Sequence, residues 1–238
     1  MKLTKKIQIA IDGPVGAGKS TVAYLLAKKL SILYIDTGAM YRATALLGLQ
    51  HNLDLKDEQK LTALLKKSTL KLYSPKNNNR FCTVFLNNKD VTKKIRTPRV
   101  SWGSSTVAVL PGIRKHLVKL QQQMAQQQSV IMEGRDIATV VLPQADLKIY
   151  MTASSKERAR RRYQELLSKN VKVSFNSIVK ETKKRDRQDS GRETDPLVVA
   201  PDAWLLKTTN LTINQVVEKT IQRLKNMKLI TSSKTQER

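Results

Sequence analysis

The stretch that decides the fold is Gly13-Pro14-Val15-Gly16-Ala17-Gly18-Lys19-Ser20, near the beginning of the 238-residue sequence. Its spacing, a glycine, four residues and then Gly-Lys-Ser, is typical of a phosphate-binding loop. The glycines let backbone N–H groups point inward around an anion, and the positive end of a following helix adds to the attraction. Lys19 is expected to reach the β- and γ-phosphates of a nucleoside triphosphate, and the Ser20 hydroxyl to ligate Mg²⁺.

The residues on either side of this loop support the same interpretation. The β-branched run 7–11 predicts a buried strand, and apolar residues at helical spacing in 20–30 predict a helix. A strand before and a helix after the loop is the context in which the pattern is specific. The residues expected to bind ATP are Gly13, Pro14, Val15, Gly16, Ala17, Gly18, Lys19, Ser20 and Thr21.

Short apolar strands and amphipathic helices alternate along most of the remaining sequence. Strands are predicted at 32–35, 130–132, 147–151 and 203–206, and helices at 39–49, 55–67, 113–127, 156–169, 178–187 and 213–227. Such alternation predicts an α/β fold, a parallel sheet flanked by helices. Ligands of these folds bind beyond the carboxyl ends of the strands. Polar residues follow three of the predicted strands, at Asp12-Gly13, Asp36-Thr37-Gly38 and Glu133-Gly134-Arg135-Asp136.

Residues 69–91 differ in character from the rest of the chain. Two short alternating strands, 70–73 and 82–86, are separated by a polar turn at 74–80, and 87–90 ends the second strand. This pattern predicts a small antiparallel insert. We therefore expect a single domain with a core of about 1–60, 98–155 and 195–228, an insert of about 61–97, a helical lid of about 156–194 and a disordered tail of about 229–238.

Composition restricts the setting and the partners. The net charge of +25, from 44 basic and 19 acidic residues, attracts polyanions such as nucleotides and nucleic acid. The lysines are spread over the chain without an RNA-recognition signature, which favours a basic surface over a specific nucleic-acid partner. The single cysteine, Cys82, excludes an intrachain disulfide and suits a reducing cytoplasm. No apolar run approaches the roughly 18 residues of a membrane span.

Beyond the loop, several separate segments resemble those of one family. Asp36-Thr37-Gly38-Ala39-Met40-Tyr41-Arg42, Gly134-Arg135-Asp136-Ile137 with Thr139-Val140-Val141, and Arg185-Asp186 with Asp189 and Arg192 resemble signature segments of bacterial cytidylate kinases. The resemblance runs from about residue 7 to 227, in the family's order and spacing. It implies a nucleoside-monophosphate kinase fold with a β-rich insert and an arginine-bearing lid, and a monomer. The implied reaction is ATP + CMP (or dCMP) ⇌ ADP + CDP (or dCDP), with Mg²⁺.

The resemblance also implies roles for individual residues. Thr37, Arg42, Arg135 and Asp136 would line the monophosphate site, and Asp36 would stand beside them. Ser105 and Arg114 would read the cytosine ring with Asp136, and Arg185 with Asp189 would hold a sugar hydroxyl. The residues expected to stabilise the transferring phosphoryl group are Lys19, Arg135, Arg192, Arg158 and Arg162.

Chemistry makes these roles reasonable. Phosphoryl transfer spreads negative charge over oxygens, so a catalyst mainly positions groups and supplies cations. A carboxylate such as Asp136 suits the exocyclic amine of cytosine and repels the carbonyl of uracil. The basic run at Arg158 and 160–162 is expected to resist neutralisation within its own helix and to close over a triphosphate.

Two points stay open at the sequence level. The carboxylate that organises Mg²⁺ is Glu133, which stands where Asp is common in the family, or Asp136 or Asp36, and Asp36 is equally suited to cap a helix. The acceptor is the second point. A kinase for UMP, shikimate or gluconate would leave Ser105, Asp136 and Asp189 without a clear purpose. A nucleic-acid-binding protein that retains the loop is the alternative of a different class.

Overall fold

The structure, a computed structural model, describes residues 1–73, 82–168 and 170–231. The strands are β1 (Lys2–Leu3), β2 (Gln8–Asp12), β3 (Leu33–Asp36), β4 (Leu70–Tyr73), β5 (Thr83–Leu86), β6 (Lys89–Asp90), β7 (Val130–Gly134), β8 (Leu147–Thr152), β9 (Trp204–Lys207) and β10 (Ile230–Thr231). The α-helices are α1 (Lys19–Leu30), α2 (Thr37–Gln50), α3 (Glu58–Lys66), α4 (Pro98–Val107), α5 (Pro111–Gln127), α6 (Ser155–Leu167), α7 (Phe175–Gly191) and α8 (Ile213–Asn226).

A five-stranded sheet in the order β3-β7-β2-β8-β9 forms the centre, and all of its pairs are parallel. Its strands are apolar runs because helices cover both faces; Ile9, Ile131 and Ile149, for example, have no exposed surface. The register places Asp12 beside Gly134, and Asp36 beside Glu133. The predicted α/β fold is confirmed, and its polar strand ends meet at one edge of the sheet.

The predicted insert is an antiparallel sheet in the order β4-β5-β6. Its apolar side chains alternate and the inward ones, such as Leu72 and Val84, are buried against the rest of the domain. The predicted turn at 74–80 lies outside the described residues. Residues 87–90 do not simply end the second strand, because Asn87 and Asn88 have left-handed φ angles of 49° and 62° and turn the chain into β6.

Among the described residues, the elements that were not predicted are β1, β6, β10, a 3₁₀ turn at Lys94–Arg96, the helix α4 and one turn after β7. The helix α4 begins with Pro98 in its first turn, a start signal that the sequence does contain. After β7, residues Ile137–Val141 form one wide turn, in which the Leu142 N–H donates to the carbonyl of Ile137 at 2.7 Å. A single turn of this kind, closed by a bond between residues five apart, has no periodicity that a sequence pattern could reveal.

The end of the described chain corrects one expectation. Strand β10 pairs antiparallel with β1, with Leu3 opposite Ile230. Leu229 and Ile230 are 7% and 3% exposed, because they pack against the hydrophobic core. The prediction of a disordered tail from about residue 229 is therefore wrong for 229–231, and the rest of that tail lies outside the described residues. Within the described ranges, no helix is both long and apolar enough to cross a membrane.

Candidate functional site

The loop between β2 and α1 has the backbone of an anion-binding nest. Gly16 and Gly18 have left-handed φ angles of 76° and 92°, and α1 begins directly after Gly18. A Cβ on Gly13 would lie 2.0 Å from the carbonyl oxygen of Met151, so side chains are excluded there. The loop thus offers backbone N–H groups and a helix N-terminus to a phosphate chain, as the sequence predicted.

Lys19 is buried beneath this loop. Its Nζ donates to the carbonyls of Gly13 at 2.7 Å and Pro14 at 2.9 Å. Burial, followed by the charge of Arg135, lowers the pKa of Lys19 to about 7. A buried ammonium with only carbonyl partners is an incompletely balanced cation, and phosphate oxygens would supply the missing negative charge.

The hydroxyl of Ser20 points to Glu133. Its Oγ donates to Glu133 Oε1 at 2.7 Å, and the buried Tyr34 hydroxyl donates to the same oxygen at 3.3 Å. The Ser20 hydroxyl and the Glu133 carboxylate are hard oxygen ligands of the kind that Mg²⁺ prefers. No cluster of three or more His, Cys, Asp or Glu side chains that could hold a metal by itself occurs among the residues described here. A cation at Ser20 would therefore share its coordination with phosphate oxygens.

Asp36 ends β3 and caps α2. Its Oδ1 accepts the Ala39 N–H at 2.8 Å, and its Oδ2 accepts from Arg42 Nη2 at 2.9 Å. Thr37 Oγ1 donates to the carbonyl of Glu133 at 2.8 Å, so the start of α2 is tied to the end of β7. Asp36 therefore serves as the helix cap, and its carboxylate is already taken by Arg42. In the described part of the chain, Arg42 Nε is buried with no partner, which leaves a donor free for an anion.

Arg114 and Asp136 form a buried ion pair at the far end of the site. The guanidinium of Arg114, only 2% exposed, donates to Asp136 Oδ2 and, through Nε, to Asp195 Oδ2 at 2.8 Å. The ring of Tyr41 lies 5.8 Å from the Arg114 carbon Cζ. Burial raises the pKa of Asp136, while Arg114 opposes the shift. The predicted base-reading pair is thus in contact, and it adds Asp195, which the sequence analysis missed.

Ser105 and Arg192 are the other two residues that were predicted to act near the base and the transferring phosphate. Ser105 is half-buried on α4, and its carbonyl accepts from Gln188 on α7 at 3.2 Å. Arg192 was expected at the transferring phosphates. Here its Nε donates to the carbonyl of Asp195 at 2.7 Å and its Nη2 lies 3.6 Å from Asp136 Oδ1, so its guanidinium stands with the Arg114 pair.

Between the two ends lie further cations. Arg135 Nε donates to Asp189 Oδ2 at 2.5 Å. Arg185 is close to this pair, and burial, together with the charge of Arg135, lowers the pKa of Arg185 to about 10. Its Nε is buried without a partner among the described residues. Arg42 and Arg185 thus each keep a buried N–H donor that a phosphate oxygen could accept from.

The basic run of α6 is arranged differently from the expectation. Arg160 and Arg161 both donate to Glu157 within the helix, and Arg162 donates to Glu165, so the predicted lack of neutralisation within the helix is wrong for these three. Glu157 lies three and four residues before its partners, the spacing at which helix side chains meet. Arg162 is 41% exposed and still contributes positive charge toward Arg185.

Arg158 and Arg161 are the members of this run that contact the phosphate loop. Arg158 is buried, donates to the Val15 carbonyl at 3.0 Å and forms a two-bond pair with Asp186 of α7. Arg161 donates to the carbonyl of Thr208 at 2.7 Å and reaches that of Ala17 at 3.4 Å. Arg161 was not among the residues expected to stabilise the transferring phosphoryl group, although it contacts the loop.

Asp12, at the end of β2, was also missed. Its two oxygens accept the N–H groups of Ile137 at 2.9 Å and Ala138 at 2.7 Å, which fixes the turn that follows Asp136. Burial raises the pKa of Asp12 to about 6, although these two bonds oppose the shift. Asp12 is thus a carboxylate that ties the end of β2 to the turn directly after Asp136.

This buried carboxyl makes a prediction about pH. Because the folded pKa is above the ordinary 3.8, the folded state binds the proton more tightly, and stability from this group rises as the pH falls from about 6 to about 4. As the pH falls through that window, the free energy of unfolding of the wild type should therefore increase by about 3 kcal/mol relative to that of Asp12→Asn. Denaturant unfolding of both proteins at pH 7, 5.5 and 4 measures the difference, and a constant difference would contradict the assignment.

Comparison with known proteins agrees with this geometry. The family model described as "Cytidylate kinase" matches residues 9–226. The chain is 49% identical over 216 residues to the cytidylate kinase of Carboxydothermus hydrogenoformans, covering 91% of this chain and 96% of that protein. It is also 49% identical over 221 residues to that of Bacillus licheniformis, covering 92% and 96%.

A solved structure shares the fold alone. It is an uncharacterized protein from Eubacterium ventriosum, superposed with a TM-score of 0.53 at 14% identity over 93% of this chain and 99% of that one. The sequence relatives and the matched segment both span almost the whole α/β domain described above. The chain belongs to the cytidylate kinase family and is a nucleotide-phosphorylating kinase.

Proposed function

We propose that this enzyme transfers the γ-phosphoryl group of ATP to CMP or dCMP, giving ADP and CDP or dCDP, in cytoplasmic pyrimidine nucleotide metabolism. The observation that carries the proposal is the layout of one continuous edge of the sheet. An anion nest with a buried lysine stands at one end and a buried Arg114–Asp136 pair at the other. Arg42 and Arg185, each with a buried Nε that has no partner among the described residues, stand between them. The family relationship supports the same assignment.

The triphosphate occupies the nest in this proposal. Residues 13–21, apart from Pro14, offer it backbone N–H groups, and Lys19 moves from the carbonyls of its own loop to the β- and γ-phosphates. Arg158 and Arg161 join the loop to the α6–α7 pair, which acts as the lid. Lid closure excludes water and prevents wasteful hydrolysis.

The acceptor phosphate lies between the two ends. Arg42 and Arg135 supply planar, permanently charged donors to it, and Arg42 Nε is a buried donor that needs a partner. The sugar hydroxyl lies beside Arg185 and Asp189. An oxygen of the acceptor phosphate attacks the γ-phosphorus in line, and Lys19, Arg135 and the lid arginines stabilise the charge that develops. Arg162 joins this set only when the lid closes, whereas Arg192 is held by the carbonyl of Asp195 beside Asp136.

The base lies at the Arg114–Asp136 end. The Asp136 carboxylate, paired with buried guanidinium groups, accepts a hydrogen bond from the exocyclic amine of cytosine. In this proposal Ser105, on α4, supplies a hydroxyl to the same amine. Uracil presents a carbonyl where cytosine presents the amine, so it would leave Asp136 unpaired and repelled.

The metal is proposed to lie between Ser20 and Glu133. Of the three carboxylates considered, Asp36 is engaged by the α2 N-terminus and Arg42, and Asp136 by Arg114, whereas Glu133 alone contacts Ser20. Mg²⁺ bound with the nucleotide supplies positive charge to the phosphate oxygens. The residues that would hold it are Ser20 directly and Glu133 directly or through water.

Removing the charge of Glu133 tests this metal site. Glu133→Gln is expected to weaken Mn²⁺ binding to the enzyme–ADP complex by about tenfold or more, because a hard oxygen anion is lost from its surroundings. Electron paramagnetic resonance of Mn²⁺ measures this without any turnover. Glu218→Gln, an exposed change on α8, serves as the control. An unchanged Mn²⁺ affinity in Glu133→Gln would exclude the proposed role.

The remaining expectations about partners follow the same site. The protein is proposed to act as a monomer on small-molecule nucleotides, with no specific nucleic-acid or membrane partner. Cys82 is buried, and burial raises the pKa of its thiol to about 12, so it stays an idle thiol in a reducing compartment.

The acceptor is tested with a coupled assay for ADP release across CMP, dCMP, UMP and AMP at fixed ATP and Mg²⁺. We expect kcat/KM to be largest for CMP or dCMP and at least about a hundredfold smaller for UMP, since a buried acceptor is then left unpaired. Preferred turnover of UMP or AMP would contradict the proposed substrate. The same assay with shikimate and gluconate as acceptors tests the other small-acceptor kinases, and turnover of either in preference to CMP would favour them.

A further inference from the structure

Asp195 has an unusual backbone conformation next to the base-reading pair. Its φ angle is 50°, in the left-handed region, and Pro196 follows it in the sequence. A residue before proline is restricted to extended conformations, and a non-glycine residue with positive φ is uncommon. Such a conformation persists only where surrounding contacts hold it. Those contacts identify what the residue does.

Asp195 bonds to both arginines that flank Asp136. Its carboxylate Oδ2 accepts from Arg114 Nε at 2.8 Å, while its backbone carbonyl accepts from Arg192 Nε at 2.7 Å and also from Arg192 Nη2. Arg114 in turn donates to Asp136 Oδ2, and Arg192 Nη2 is 3.6 Å from Asp136 Oδ1. The left-handed φ is what lets one residue direct its side chain to one arginine and its carbonyl to the other.

The charges of this group balance. Two guanidinium groups, Arg114 and Arg192, face two carboxylates, Asp136 and Asp195, and the side chains of Arg114 and Arg192 are only 2% and 7% exposed. Without the Asp195 carboxylate, the buried Arg114 would lose the partner of its Nε and gain freedom to rotate against Asp136. Arg114 belongs to the core helix α5, whereas Arg192 directly follows the lid helix α7. Asp195 therefore joins the lid to the base end of the site.

We propose that Asp195 is a positioning residue for acceptor specificity, which holds Arg114 and Arg192 against Asp136 so that this carboxylate presents a fixed acceptor to the amine of cytosine. The proposal rests on the CMP kinase function argued above and adds a residue to it. Asp195 does not touch the substrate in this account. It acts through the two arginines, and its loss affects the choice of base more than the transfer step.

Three substitutions distinguish the effect of the Asp195 carboxylate from that of its left-handed backbone. Asp195→Ala removes the carboxylate and keeps the strained backbone, whereas Asp195→Gly removes the carboxylate and relieves the strain. Asp195→Asn keeps an oxygen acceptor for Arg114 and tolerates the left-handed φ, but loses the charge. Glu193→Gln is the matched control, because Glu193 is exposed two residues away in the same segment. Kinetics with CMP and UMP are measured for all four and for the wild type.

Asp195→Ala and Asp195→Gly are expected to raise KM for CMP by about 10- to 100-fold, the effect of one buried charge-assisted hydrogen bond, with a smaller change in kcat. The ratio of kcat/KM for CMP over UMP should fall by about tenfold in both, less in Asp195→Asn, and not in Glu193→Gln. Calorimetric titration of CMP without ATP should show the same weakening, which a defect in the transfer step would not cause.

A CMP/UMP ratio that stays at the wild-type value in Asp195→Gly and Asp195→Asn would overturn the proposal, as would equal losses for both acceptors. Thermal unfolding identifies a variant that fails to fold; if Asp195→Ala is lost in this way, the glycine and asparagine variants decide. Turnover of CMP by the wild type distinguishes a failure of the proposed function from a failure of the proposed role of Asp195. Absence of CMP turnover by the wild type refutes the proposed function, whereas CMP turnover with an unchanged ratio in the variants refutes only the role of Asp195.

Discussion

Replacement of Lys19 by alanine is expected to lower the turnover of CMP at saturating ATP by about a thousandfold or more. Lys19 is the buried cation of the phosphate loop, and among the described residues the hydrogen-bond partners of its ammonium are the carbonyls of Gly13 and Pro14. A cation placed on the transferring phosphate acts mainly on the transition state, where charge is spread over the oxygens, so kcat should fall more than KM rises.

The matched control is Lys29→Ala, which removes an exposed lysine from the end of the same helix, α1. It should leave both kcat and KM near the wild-type values. Lys19→Ala also serves to distinguish the enzyme from a nucleic-acid-binding protein that retains the loop. Activity that survives in Lys19→Ala, together with salt-sensitive binding of RNA or DNA, would favour the binding protein.

Asp136→Asn is expected to reduce the preference for CMP over UMP by about a hundredfold, because the amide presents a donor to the carbonyl of uracil where the carboxylate repelled it. Asp136 is 5% exposed and is held by Arg114 and Arg192, so its charge has no water to screen it. Both acceptors contribute to the change, because the neutral amide also binds the amine of cytosine more weakly than the carboxylate does, which lowers kcat/KM for CMP. The ratio of kcat/KM for the two acceptors is the quantity to measure.

Asp189→Asn provides the comparison within the same site. Asp189 is also a carboxylate paired with an arginine, Arg135, but it lies at the proposed sugar and phosphate region. Loss of its charge should lower kcat/KM for CMP and for UMP by similar factors and leave the ratio of the two values unchanged. If both variants altered the ratio equally, Asp136 would not be the residue that distinguishes the bases.

The sequence contains strong signals for the sheet and the loop, because both depend on residues that are neighbours in the chain. Apolar strands and the glycine spacing around Lys19 are local patterns, and the structure agrees with them closely. The helix α4 was missed although Pro98 marks its start, since its apolar residues are few and scattered. The tail was misjudged because the burial of Ile230 depends on a partner strand at the other end of the chain, Lys2–Leu3.

The site shows the same division. Residues in compact motifs, such as Arg135 and Asp136, could be predicted, whereas Asp12 and Asp195 could not. Asp12 bonds to N–H groups 125 and 126 residues away, and Asp195 bonds to Arg114 at a separation of 81 residues. The ion pairs of Arg160 and Arg161 could have been predicted from the sequence, because Glu157 lies three and four residues before them on the same helix.

The most direct test of the central claim is a ³¹P nuclear magnetic resonance spectrum of the wild type with ATP, Mg²⁺ and CMP. The account predicts that the resonances of ATP and CMP decline together while those of ADP and CDP appear in equal amounts, with no inorganic phosphate beyond the enzyme-free background. Loss of ATP to ADP and inorganic phosphate, with CMP unchanged, would contradict it, because the site would then hydrolyse the nucleotide and not transfer its phosphoryl group to the monophosphate.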